Sequence, residues 1–158
     1  FSVLRYGNVT MSRGSVIPFF LNNKSNIFEV TDTKMTRFCI TLEESVKAAQ
    51  WVINNAKGGE IFIPKSPSYR ILDVVKAINE KAKIKIIGIR EGEKLYEELI
   101  SKNDNEQVYD HGRFFIMSRK KLNYKKVSKN FSYNSSNNPN FYSIKDLKRI
   151  ISKTAEDA

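Results

Sequence analysis

Apolar and polar positions along this chain fall into short blocks that switch between the period of a strand and the period of a helix. Phe1-Ser2-Val3-Leu4 reads as the end of a buried strand. Gly7 and Gly14 break the regularity, so residues 5–15 form a polar loop. Residues 16–23 are mostly apolar and predict a helix, with Pro18 placed in its first turn, where proline is tolerated. Phe28-Glu29-Val30-Thr31 alternates as a strand, residues 32–34 turn, and residues 35–40 are a second extended piece. Thr41-Leu42-Glu43-Glu44 is a capping box. Behind it, Leu42, Val46, Ala49, Ile53 and Ala56 recur at helical spacing and predict the buried stripe of an amphipathic helix. Ala48 and Val52 widen that stripe, Trp51 stands at its margin, and Gly58-Gly59 ends the helix.

Residues 60–64 read as a strand closed by proline. Ser68 is placed to cap a helix carrying Ile71, Leu72, Val74, Val75 and Ile78. Residues 83–89 predict another strand, 90–94 a polar turn, 95–101 a helix and 102–110 an exposed polar stretch. Residues 113–118 form a late strand. Residues 130–140, rich in Asn and Ser, read as a low-complexity loop anchored by Phe131 and Tyr133. Ser143-Ile144-Lys145-Asp146 caps a last helix running to Ser152. Strands alternating with helices predict an α/β domain.

Composition narrows the class. The 158 residues suffice for one domain with a core, and 41% hydrophobic with 28% charged content is that of a soluble globular protein. There is no apolar run long enough for a bilayer and no signal-peptide pattern. Because Phe1 falls inside a strand, which needs neighbours, a preceding part of a longer protein is expected. A single cysteine excludes an internal disulfide and fits a reducing, cytoplasmic compartment. Cys39, between Phe38 and Ile40, reads as an inert buried thiol. His111 stands alone, so no zinc site is expected. The net charge of +10 admits a nucleic-acid partner. Much of the excess, however, lies in Arg119-Lys120-Lys121 and Lys125-Lys126, without an aromatic-basic signature, and a solvated lysine-rich surface is the simpler reading.

Three polar constellations each follow a predicted strand: residues 8–13, 31–37 and 90–93. Strand ends are where open α/β sheets bind ligands. Arg13, Arg37 and Arg90 are expected to converge on one anion, since a guanidinium fork suits a pyrophosphate. Glu93 would accept from ligand hydroxyls or steer Arg90. No glycine-rich dinucleotide fingerprint is present. Tyr69 and Tyr96 have no lysine four residues on, and Tyr142 is followed by Asp146. The chain by itself therefore shows no hydride-transfer site.

Five segments carry a resemblance: residues 5–9 (Arg-Tyr-Gly-Asn-Val), 12–20, 35–38, 59–65 and 86–95. They resemble the CapD-like polysaccharide-biosynthesis proteins, which are extended short-chain dehydrogenase/reductases, and within them the inverting UDP-N-acetylglucosamine 4,6-dehydratases. Residues 131–138 resemble the C-terminus of those enzymes. The resemblance implies the C-terminal part of an NADP-binding Rossmann-type fold with its substrate domain, that is, the last Rossmann strands plus a nucleotide-sugar-binding region. It implies oxidation at sugar C4 by NADP, loss of water across C5 and C6, and return of hydride to C6 with inversion at C5. Carried over by position, Asn8 and Val16 contact the UDP-sugar, Thr31 touches the nucleotide, Arg37 faces the pyrophosphate, and Arg90 and Glu93 hold the phosphate and ribose. Val9, Thr10, Met11, Ser12 and Arg13 line the nicotinamide side of NADP. The catalytic residues would lie upstream of Phe1, so a stretch like this one is expected to be inactive alone. The implied partner is a UDP-sugar, with neither nucleic acid nor membrane, in a homo-oligomer. A nucleotide-sugar epimerase, a non-catalytic homologue and a basic nucleic-acid-binding module remain the alternatives.

Overall fold

The computed structural model describes residues 1–104 and 107–156. In chain order the elements are β1 (Val3–Leu4), α1 (Val16–Leu21), β2 (Ile27–Val30), β3 (Thr36–Phe38), α2 (Leu42–Asn55), β4 (Ile61–Pro64), β5 (Ser68–Arg70), α3 (Ile71–Ile78), β6 (Lys83–Ile86), β7 (Glu98–Ile100), β8 (Gln107–Asp110), β9 (Phe114–Ser118), β10 (Lys125–Lys126), β11 (Tyr133–Asn134) and α4 (Ile144–Glu156).

One sheet has the order β1-β4-β9-β8-β10. Only β1 and β4 run parallel in it, with Val3 opposite Ile61 and Leu4 opposite Phe62. The long connection between them contains α2, as a parallel pair requires. Side chains on β4 and β9 alternate between two cores, following the two-residue period of a strand. Phe62, Phe114 and Ile116 meet Ala48 and Val52 of α2, with Trp51 at the edge. Ile63, Phe115 and Met117 meet Phe38, Leu99, Ile100 and Tyr133 on the other face. A third core joins α1, α3 and α4 with β2, through Ile17, Phe20, Phe28, Val30, Val74, Val75 and Leu147. There β2 pairs in parallel with β6, while β3 pairs antiparallel with β5 and β7 with β11.

Several sequence expectations are overturned. The predicted helix over residues 95–101 is instead an irregular stretch leading into β7, whose Leu99 and Ile100 are buried against the first sheet. Of the expected exposed stretch 102–110, residues 107–110 form β8, with Val108 and Tyr109 buried; Asn105 and Glu106 lie outside the described residues. Ser68 caps no helix. It sits in β5, fully buried, and its hydroxyl accepts from the Asn138 amide at 2.9 Å. On α2 the capping box forms, but the helix is rotated from the expected face. Ser45, Ala48 and Val52 point inward, while Leu42, Val46 and Ile53 are 68%, 48% and 79% exposed. Flanking small residues fit the close approach to Phe62 and Phe114, which the larger stripe would block.

The Asn/Ser-rich segment is an ordered clip, held by side-chain bonds where its sequence lacks apolar content. The Asn134 amide oxygen accepts from the backbone N–H groups of Ser136 and Asn137. The Asn138 amide and the Tyr133 hydroxyl both donate to the Ser66 carbonyl, at 2.8 and 2.9 Å. Tyr133 is buried and Phe131 packs beside it, so both anchors act as the sequence suggests. Among the described residues, no helix is long and apolar enough to cross a membrane, and no cluster of three or more His, Cys, Asp or Glu could hold a metal.

Candidate functional site

A cleft of about 300 Å³ opens where the loop after β1, the first turn of α1, the ends of β2 and β3, and the turn after β6 come together. Asn8, Val16, Thr31, Arg37, Arg90 and Glu93 all line it. Asn8, Thr31, Arg90 and Glu93 lie just past strands and Val16 opens α1, where the backbone is free of sheet pairing and can present side chains. Arg37 is the middle residue of β3, opposite Tyr69, and reaches the cleft from within the strand.

Asn8 is set by its neighbours. Its carbonyl accepts from Ile40 N–H at 3.1 Å, fixing the loop against the end of β3. Gly7 makes that approach possible: a Cβ at this position would lie 2.5 Å from the Phe38 Cβ, closer than two side chains can pack. Behind Asn8 lies Tyr69, buried among Cys39, Glu97 and Arg37. Burial pushes its phenol well above the ordinary range, while the Asn8 amide pulls the other way.

Arg37 donates from Nη1 to the carbonyls of Thr36 at 2.8 Å and Leu95 at 3.3 Å, and from Nη2 to the Met35 sulfur at 3.3 Å. These bonds hold the guanidinium in one plane at the cleft wall. On the opposite wall, the residue 90–93 turn closes on itself. Glu93 N–H donates to the Arg90 carbonyl at 3.0 Å, and Arg90 N–H donates to Glu93 Oε2 at 3.2 Å. The Thr31 hydroxyl donates to the other Glu93 oxygen at 3.3 Å. Arg90 itself remains exposed at the mouth.

Sequence reading missed Glu29, which also lines the cleft. Its signal was present: in an alternating strand Glu29 shares a face with Thr31. The carboxylate is held below its ordinary range first by the hydrogen bond from Lys85, at 2.9 Å, and also by Arg90. Two guanidinium groups and two carboxylates thus meet in the cleft. Both carboxylates have partners in the protein, and Arg37 is tied to two carbonyls and a sulfur. An incoming anion would therefore meet the exposed Arg90 together with the donors of the Arg37 fork that those bonds leave over.

The remaining predicted residues lie beside the cleft and outside its lining. Val9 bridges to Ile40 through the backbone. The Thr10 hydroxyl shares a hydrogen bond with the Cys39 thiol at 2.9 Å and donates to the Ile40 carbonyl at 3.2 Å. Met11 packs on the third core with φ +61°, a left-handed conformation that costs a non-glycine residue roughly 1 kcal/mol. That turn, continued by Gly14 at φ +79°, carries Ser12 and Arg13 outward into solvent. Arg13 therefore does not converge with Arg37 and Arg90, contrary to expectation. Cys39 is buried and its thiol is pushed up to about 11 by that burial, which makes it a poor nucleophile.

A family model described as polysaccharide biosynthesis protein matches residues 1–119. The chain belongs to that family. It is 42% identical over 172 aligned residues to the inverting UDP-N-acetylglucosamine 4,6-dehydratase of Campylobacter jejuni, covering 98% of this chain and 52% of that enzyme. It is 40% identical over 132 aligned residues to the UDP-glucose 4-epimerase of Rickettsia canadensis, covering 78% of this chain and 39% of that enzyme. Among solved structures it resembles Pen from Bacillus thuringiensis, with a TM-score of 0.83 at 33% identity, covering 98% of this chain and 50% of that one. The fold is the mixed α/β fold of a Rossmann-type short-chain dehydrogenase/reductase, as the sequence implied. The chain spans about half the length of the curated relatives it matches.

Proposed function

We propose that the cleft binds a UDP-sugar and that the intact protein is an NADP-dependent dehydratase acting on UDP-N-acetylglucosamine. The observation that carries this reading is the meeting of Asn8, Arg37, Arg90 and Glu93, from three separate segments, in one cleft. Arg37, fixed in its plane, suits the oxygens of a pyrophosphate, and Arg90 at the mouth can swing onto the same group. Glu93 and Thr31 offer an acceptor and a hydroxyl for ribose, while Asn8 offers an amide to the sugar. Val16 and the adjoining Phe20 give an apolar wall.

NADP, when bound, supplies hydride acceptance and return. The residue 9–13 loop fits one wall of such a cofactor site. It presents exposed Ser12 and Arg13 beside the cleft, and its backbone is held by Ile40. The phosphate cradle and the groups that move protons are assigned to a part of the intact protein outside this chain.

The test is direct. The intact protein, given UDP-N-acetylglucosamine and NADP, is expected to release a 4-keto-6-deoxy sugar nucleotide, read by mass spectrometry. Recovery of an unoxidised C4 epimer instead would favour the second reading, a nucleotide-sugar epimerase, which the likeness to the Rickettsia enzyme supports. Release of neither product would overturn both.

A further inference from the structure

Glu97 lines no part of the cleft, yet its carboxylate reaches two of the segments that build it, β3 and the loop after β1. Oε2 accepts the Phe38 N–H at 3.0 Å, and Oε1 stands 3.9 Å from Arg37 Nε. Gly7, the residue before Asn8, lies so near that a Cβ there would be 3.2 Å from Oε2. The Glu97 backbone is clamped in turn: its N–H donates to the Ser135 hydroxyl at 3.0 Å, and its carbonyl accepts from Ser135 N–H at 2.8 Å. Burial raises the carboxyl above its ordinary range, opposed by the Phe38 N–H and by Arg37. An acid kept where burial disfavours its charge points to a role that needs the charge.

We propose that Glu97 is a positioning residue that fixes the Arg37 guanidinium and the Gly7–Asn8 turn so that both present their donors to an anion in the cleft. This rests on the cleft being a UDP-sugar site. The Nη1 bonds to Thr36 and Leu95 hold one side of the Arg37 fork, and Glu97 faces Nε on another. With both sides held, the plane is set before the ligand arrives, and less side-chain entropy is lost on binding. The ligand meets Arg37 first, because Arg37 lines the cleft and Glu97 does not.

The experiment is a double-mutant cycle in the intact protein, with UDP as the probe and calorimetry as the readout. Glu97→Gln keeps an acceptor for Phe38 N–H and removes the charge. It is expected to weaken UDP about fivefold in the unmodified background and to have almost no effect when Arg37→Met is already present, a coupling within the range of contacting pairs. Affinity for NADP should not change in either background. Equal loss in both backgrounds, or no loss, overturns the positioning role and leaves the UDP-sugar reading standing. Failure of the unmodified protein to bind UDP overturns that reading itself. Should Glu97→Gln unfold the protein, Glu97→Asp keeps the charge with a shorter reach, and the same dependence on Arg37 is expected of it.

Discussion

Replacing Ser135 by alanine removes the knot that ties the C-terminal clip to the cleft. The serine is fully buried. Its hydroxyl shares a hydrogen bond with the Thr36 hydroxyl at 2.8 Å, accepts from Glu97 N–H at 3.0 Å and contacts the Thr36 carbonyl at 3.0 Å. In Ser135→Ala the Thr36 carbonyl keeps its bond from Arg37, whereas Glu97 N–H and the Thr36 hydroxyl lose a partner. Each such group, shut away from water, costs about 1–3 kcal/mol, so a loss of about 2–6 kcal/mol is expected. For a protein of this size that corresponds to a fall in Tm of roughly 4–24 °C. Equilibrium urea unfolding, with an unchanged m-value, measures it. Ser136, adjacent but exposed, is the control, and Ser136→Ala should stay within about 0.5 kcal/mol. A Ser135→Ala change as small as the control's would refute the claim that this hydroxyl is dry and fully engaged.

Further outcomes are expected at Gly7 and at Cys39. Gly7→Ala must push a methyl into Phe38, which is fully buried, so it should cost about 1–3 kcal/mol by thermal melting and displace Asn8, weakening UDP as well. For Cys39, the shift from 9.0 to about 11 means that the folded chain keeps a proton the unfolded chain releases, so stability falls as pH rises through that window, by about 2–3 kcal/mol in all. Below pH 8 the same shift should slow alkylation by iodoacetamide at least about 100-fold relative to the urea-unfolded chain, and rapid labelling of the folded protein would contradict the burial of this thiol.

Local rules settled much of the chain. The capping boxes at Thr41 and Ser143 form as written, because each is completed by a carboxylate three residues away and needs nothing distant. Core strands such as β4 and β9 were legible from their apolar runs. The sequence also named six residues that share one cleft: Asn8, Thr31, Arg90 and Glu93 sit just past strands, whereas Arg37 lies within β3 and Val16 came from the resemblance alone. What the tertiary structure decided were the features that depend on partners far along the sequence. The stretch leading to Leu99 and Ile100 becomes β7 only because Tyr133 and Asn134 lie alongside it. The Asn/Ser segment is ordered only because Ser66, Ser68, Thr36 and Glu97 await its amides and hydroxyls. The inward face of α2 was fixed by the bulk of Phe62 and Phe114, and the outward course of Arg13 by the left-handed turn at Met11. Periodicity records how one segment relates to itself; packing and hydrogen bonding between distant segments leave no such period, and so these features appeared only once the chain was folded.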